Sequence, residues 1–154
     1  MPDIIIAATP EEAGEKLEQW LAEITQQVEA ISYKPAFQDQ VIQVLQAQHE
    51  EYFNAQSGPD GPWPALAAST VKAKGFDTIL VEFNNMRSSL LFEGGDHVQD
   101  VEDKYLTWGT ADEKAAIHQE GTSKIPQRAF VGVNDKNAED IAEIIAEFTI
   151  QALD

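Results

Sequence analysis

The sequence predicts an α+β fold with an N-terminal helical hairpin, a small and mainly antiparallel sheet, and a C-terminal helix. Three observations predict it. Apolar residues recur at steps of three and four between Ala13 and Ile31, between Phe37 and Tyr52, and between Ile141 and Ala152. The region between is instead punctuated by glycines, prolines and strand-forming runs. Its candidate strands are joined by turns, not by alternating long helices, which argues against a doubly wound parallel sheet. The 154 residues suit one domain. Within it, residues 1–58 form the helical hairpin, 62–134 the sheet and loops, and 135–153 the last helix.

Thr9-Pro10-Glu11-Glu12 reads as a helix start. Thr9 serves as N-cap, Pro10 fits the first helical position, and Glu12 completes a capping box. Ala13, Leu17, Trp20, Leu21, Ile24, Val28 and Ile31 then form one apolar stripe, which makes Trp20 a core residue. A second helix starts at Lys34-Pro35 and carries Phe37, Val41, Val44, Leu45, Gln48 and Tyr52 at the same steps. The short connection near Ser32–Lys34 predicts that the two helices pair as a hairpin. Gly58-Pro59-Asp60-Gly61-Pro62 breaks the pattern and forms a loop within the domain.

Ser69 to Gly75 fits a short helix closed by its glycine, and 78–83, rich in strand formers, a strand. Residues 86–92 fit either helix or strand. Gly94-Gly95-Asp96 is a turn, and His97 to Asp103 and Lys104 to Thr110 are the arms of a hairpin. Ala129 to Val133 is the last strand. Asn134 or Asn137 caps the C-terminal helix.

Composition removes several classes of function. No apolar run approaches the roughly 20 residues that span a bilayer, so no membrane partner is expected. The N-terminal Met1–Ile6 lacks the positive region of a secretory leader, so cytoplasmic synthesis is expected. There is no cysteine, which excludes disulfides, thiolate metal sites and thiol nucleophiles. Ten basic residues against 27 acidic ones give a net charge of −17, and such a field repels nucleic acid. The charge is uneven. Residues 1–58 hold two basic groups against ten acids, and 135–154 hold one against six. The other seven basic residues lie between Lys72 and Arg128.

No nucleophile elbow, phosphate loop or dinucleotide fingerprint is present. His118 and Glu120 would share one side of a strand, but two ligands fall short of the three or four that zinc takes. Asp96, Asp100, Glu102 and Asp103 are clustered without the twelve-residue calcium loop. Neither group completes a catalytic or metal set, so no enzyme activity and no cofactor are expected.

The most distinctive segment is 114–132, Lys-Ala-Ala-Ile-His-Gln-Glu-Gly-Thr-Ser-Lys-Ile-Pro-Gln-Arg-Ala-Phe-Val-Gly. Gly121 permits a turn, and Pro126 holds an extended approach. Arg128 offers a planar charged fork, for a carboxylate or for carbonyls, within the fold or across an interface. Phe130 is a core anchor, and Gly132 allows close backbone approach. Trp63, after the proline-glycine break, pins that loop to the core, and Trp108 lies in a strand. The segment reads as a braced loop running into a strand, with His118, Gln119, Gly121, Pro126, Arg128, Phe130 and Trp63 as structural or interface residues.

Ala115 to Gly121 and Pro126 to Gly132 resemble the Ala-x-Ile-His-Gln-x-Gly and Pro-x-Arg-x-Phe-x-Gly stretches of the virion morphogenesis family of Mu-like phages and prophages. This is the Mu-like G protein family of tail-completion proteins. Trp63-Pro64-x-Leu66 with Thr70 and Lys72, Ile79-Leu80 before Met86-Arg87-Ser88-Ser89, and Gly109-Thr110 are similar to its upstream pattern. Lys114 stands where a tyrosine is usual, and Asn85 where a glycine is usual. The resemblance, over roughly 62–150, implies a structural part of tail completion or head-tail joining. It implies other tail or neck proteins as partners, a homo-oligomeric ring that DNA traverses, and residence in the bacterial host cytoplasm and then the virion tail. The alternative from charge is an acidic inhibitor or DNA mimic that binds a basic protein.

Overall fold

A computed structural model describes residues 7–80, 85–92 and 95–154. It is mixed helix and sheet, with a long helix at each end. The first, α1 (Pro10–Ala30), begins where the capping residues place it. The Thr9 hydroxyl accepts from the Glu12 amide at 3.2 Å, and the Glu12 carboxylate accepts from the Ala8 amide at 2.8 Å. The box therefore closes one residue earlier than its usual form, on Ala8 instead of on the cap itself.

The second helix runs as α2 (Lys34–Ala36), a π-helical turn (Phe37–Val41) and α3 (Ile42–Ala55). The connection is short, as expected, but α1 finds its packing partner in the C-terminal helix α7 (Asp135–Leu153). No residue of α1 is buried; Leu17 remains 45% and Leu21 49% exposed. Trp20, expected in the core, is only half-buried. The connection is instead tied elsewhere. The Tyr33 amide donates to the Asp103 carbonyl, and the Tyr33 hydroxyl lies 3.0 Å from that of Thr149 on α7.

The antiparallel part is two separate ribbons among the described residues. Strands β1 (Ser57–Gly58) and β2 (Gly61–Pro62) make one, and β3 (His97–Val101) and β4 (Leu106–Thr110) the other. The second is the expected hairpin, with Gln99 opposite Trp108. The strand expected over 78–83 is absent as far as residue 80. Ile79 and Leu80 form a turn, and Leu80 adopts φ +57°, a left-handed value foreign to strands. The rest of that expectation lies outside the described residues. The ambiguous stretch resolves as a helix, α5 (Asn85–Leu91). The short helix α4 (Ala68–Lys74) ends on Gly75 at φ +80°, as the glycine predicted. Asn134 caps α7 by accepting from the Asn137 amide at 2.9 Å.

The core joins Tyr52 and Phe53 of α3, Met86 and Leu90 of α5, and Trp63, Ile79, Leu80 and Phe130 from the connecting segments. Leu90 and Phe130 have no exposed surface. The phenyl rings of Phe53 and Phe130 meet edge to face at 6.0 Å, a favoured aromatic geometry. The segment 128–131 is thus seated against the core, shortly before α7 begins.

Candidate functional site

The distinctive segment is a short helix followed by a folded return. Helix α6 (Ala115–Glu120) ends on Gly121 at φ +74°, whose amide donates to the Ile117 carbonyl at 2.9 Å. A Cβ at Gly121 would lie 2.7 Å from the Gln127 amide nitrogen. Glycine is required there both by φ and by the close return of the chain. Thr122 closes that return. Its hydroxyl accepts from the Lys124 and Ile125 amides, and its own amide donates to the Ile125 carbonyl. Pro126 stands exposed on the outside of the turn.

Gln119 is the clip. Its carboxamide oxygen accepts from the Phe130 amide at 3.0 Å and the Val131 amide at 3.1 Å. Its carboxamide nitrogen donates to the Val131 carbonyl at 2.8 Å. The expected last strand, Ala129–Val133, is therefore irregular chain that bends at Val131 and Gly132 and has no strand partner. A side-chain amide and other single groups satisfy it in place of a ladder. The helix above it also corrects the strand geometry assumed for His118 and Glu120. Two residues apart on a helix they diverge, and Glu120 is exposed.

Three further contacts hold the same stretch. Trp63 donates from Nε1 to the Ala129 carbonyl at 2.8 Å. Arg128, only 5% exposed, donates from Nε to the Pro64 carbonyl at 2.8 Å and from an Nη to the Ala65 carbonyl at 3.0 Å. Of the two partner types expected for Arg128, it takes carbonyls. No described carboxylate lies in ion-pair range of it. The third contact comes from His49, which sequence reasoning passed over. Nε2 of His49 accepts from the Gly132 amide at 3.3 Å, while Nδ1 lies 2.7 Å from the Leu45 carbonyl. That pairing fits a neutral ring protonated at Nδ1. The one local mark of His49 is its position, four residues after Leu45 and three before Tyr52 on the helix, with no motif around it.

His49 is 1% exposed, and burial lowers its pKa. Above about pH 6.5 the ring is neutral in both folded and unfolded chains. Below it the unfolded chain takes up a proton that the folded chain resists, so stability falls as pH falls. The expected loss reaches about 1.4 kcal/mol per pH unit between the two pKa values. A His49→Gln variant is expected to be weaker at pH 8 yet to lose less between pH 6.5 and 5. Parallel thermal-unfolding curves for the two proteins over that range would contradict this assignment.

Gln119→Ala strands two amides and a carbonyl at once, and is expected to cost about 2–3 kcal/mol. Urea unfolding measures the loss. Amide exchange should accelerate first at Phe130 and Val131, and unchanged protection there would sink the clip.

His118 faces a different surface. Together with Arg128 it lines a groove of about 590 Å³, bounded by α4 and α6. Its Nδ1 is buried without a hydrogen-bond partner among the described residues. Burial, with Arg128 assisting, lowers its pKa. Among the described residues no group of three or more histidines and carboxylates is arranged to hold a metal, the acidic cluster at 96–103 included. Trp63, Gln119, Arg128 and Phe130 thus converge on one stretch, 128–131. His118 contributes its backbone carbonyl to that stretch, 2.8 Å from the Arg128 amide.

Residues 13–149 match the model of the phage virion morphogenesis family. No curated protein and no solved structure matches the chain.

Proposed function

We propose that this chain, which belongs to the phage virion morphogenesis family, completes the tail or joins it to the head. Virion assembly is the family's setting, and other virion components are its partners. The observation that carries the reading is how the segment 118–132 spends its polar groups. Gln119, Arg128 and Trp63 all bind the chain's own backbone carbonyls and amides. Residues used in this way hold a surface in shape and have little left to offer a substrate. The chain acts as a structural part, not as a catalyst. Its neighbours are tail or neck proteins, and copies of it form a ring through which DNA passes. The net charge of −17 then keeps the DNA from adhering to the passage. A ring whose channel proved basic would end that last point.

The test is genetic. Deleting the gene in the phage or prophage that carries it is expected to leave heads and tails unjoined, or tails without a finished head-proximal end. Supplying the chain in trans restores particles, and electron microscopy reads the result. Normal infectious particles from the deletion would overturn the proposal.

A further inference from the structure

We propose that α1 of one copy docks in the groove between α4 and α6 of the next copy. The inference rests on the assembly reading and names the surfaces through which copies meet. Two features of the fold that leave apolar surface uncovered carry it, although α7 packs against part of α1. The first is α1, a helix of 21 residues with a continuous apolar stripe and no buried residue. Leu17 and Leu21 are about half exposed on that stripe. A stripe of this kind normally faces a core. Six glutamates stand on the same helix against one lysine, Lys16, which is already paired with Glu12 at 2.7 Å. By helical spacing, Glu18 and Glu23 flank the stripe on its two sides.

The second feature is the groove. Its volume of about 590 Å³ lies in the range of clefts that take up apolar groups. Leu66, Leu80 and Met86 supply its apolar surface. Lys74, Lys114 and Arg128 bring positive charge to it, against Asp96, Asp112 and Glu113. It is neutral in a chain of net charge −17. The bordering helix α4 carries Lys72 and Lys74 and no acid. An acidic amphipathic helix therefore finds its complement in apolar floor and α4 lysines together. Two α1 helices set face to face would bring glutamates against glutamates, which complementary interfaces avoid. Two different surfaces meeting head to tail are also what a closed ring requires.

The chain has no cysteine, so introduced thiols report only the contact under test. Chains bearing Leu21→Cys are mixed with chains bearing Thr70→Cys and oxidised. Thr70 is exposed and lines the groove. A disulfide needs Cα atoms within about 7 Å, so it forms only across a true seam. The mixed dimer is expected to exceed either homotypic dimer by about tenfold or more. Lys72→Glu with Lys74→Glu in the Thr70→Cys chain lowers it by about tenfold, and Glu18→Lys with Glu23→Lys in the other chain restores it. These positions are exposed, apart from half-exposed Lys74, and thermal unfolding verifies that each variant stays folded. A Leu21→Cys homodimer would mean that α1 pairs with α1. Absence of the mixed dimer would mean that something other than a copy of this chain covers α1. Either result overturns the seam. The deletion phenotype tests the assembly role without reference to α1, so the two can fail separately.

Discussion

Gly58→Ala is expected to cost more than about 3 kcal/mol, an overpacking penalty at the upper end for a single methyl. The new Cβ would lie 1.8 Å from the Ala129 carbonyl oxygen and 2.9 Å from Trp63 Nε1. Neither neighbour can retreat cheaply. The carbonyl is backbone, and it is held at 2.8 Å by the same indole nitrogen that the methyl would crowd. Gly58 is also paired with Gly61 in the β1–β2 ribbon, so it cannot slide along its own chain. Relief requires moving the ribbon from the 128–131 stretch, which breaks the indole hydrogen bond as well. Urea unfolding measures the loss, and quenching of buried tryptophan should report the opened contact. A stability within about 1 kcal/mol of the parent chain would show that the approach is looser than described.

Phe130→Ala is expected to cost about 3–5 kcal/mol. The ring has no exposed surface and lies at the centre of the core, against Phe53 and its neighbours. Its loss leaves a cavity bounded by backbone that Gln119, Trp63 and Arg128 hold in place, so the site cannot collapse to fill it. Phe130→Leu keeps most of the volume and should cost less than about 1.5 kcal/mol. Against a total stability of roughly 5–15 kcal/mol for a domain, the alanine variant approaches unfolding while the leucine variant does not. Equal midpoints for the two in urea would contradict a rigid cavity. The variant changes no surface group, so any failure in virion assembly would follow from lost fold.

The helices were the legible part of the fold, because a stripe and a cap are local signals. Thr9, Pro10, Gly75 and Asn134 each mark a helix end where the chain shows one. The β3–β4 hairpin was legible for the same reason, since its turn and alternation lie within one short stretch. What the stripe of α1 could not reveal was its partner. Periodicity states that a face is apolar, not that the same chain covers it, and Trp20 on that face is half-buried instead of core. The strand expected at 129–133 failed for a different reason. Its residues suit extended backbone, but the chain bends at Val131 and Gly132. Its partners are the Gln119 amide, the Trp63 indole and the His49 ring, each remote in sequence. No pattern of residue types encodes a ladder made of single side chains. Within the candidate site, Gly121 declared its turn and Phe130 its burial. His49 stayed hidden because an isolated histidine on a helix carries no motif.

The clamp on residues 128–132 also sets an order of events during synthesis. Its links join His49 to Gly132, Trp63 to Ala129 and Pro64 to Arg128, across 83, 66 and 64 residues. At ribosomal rates the interval between Trp63 and Ala129 is about 3–13 s. Throughout it Tyr52, Phe53 and Trp63 lack the ring that completes their core. The nascent chain therefore carries an unsealed apolar surface, open to holdase chaperones and to proteases. A translation stop before Phe130 should yield a degraded fragment, and not a smaller folded piece.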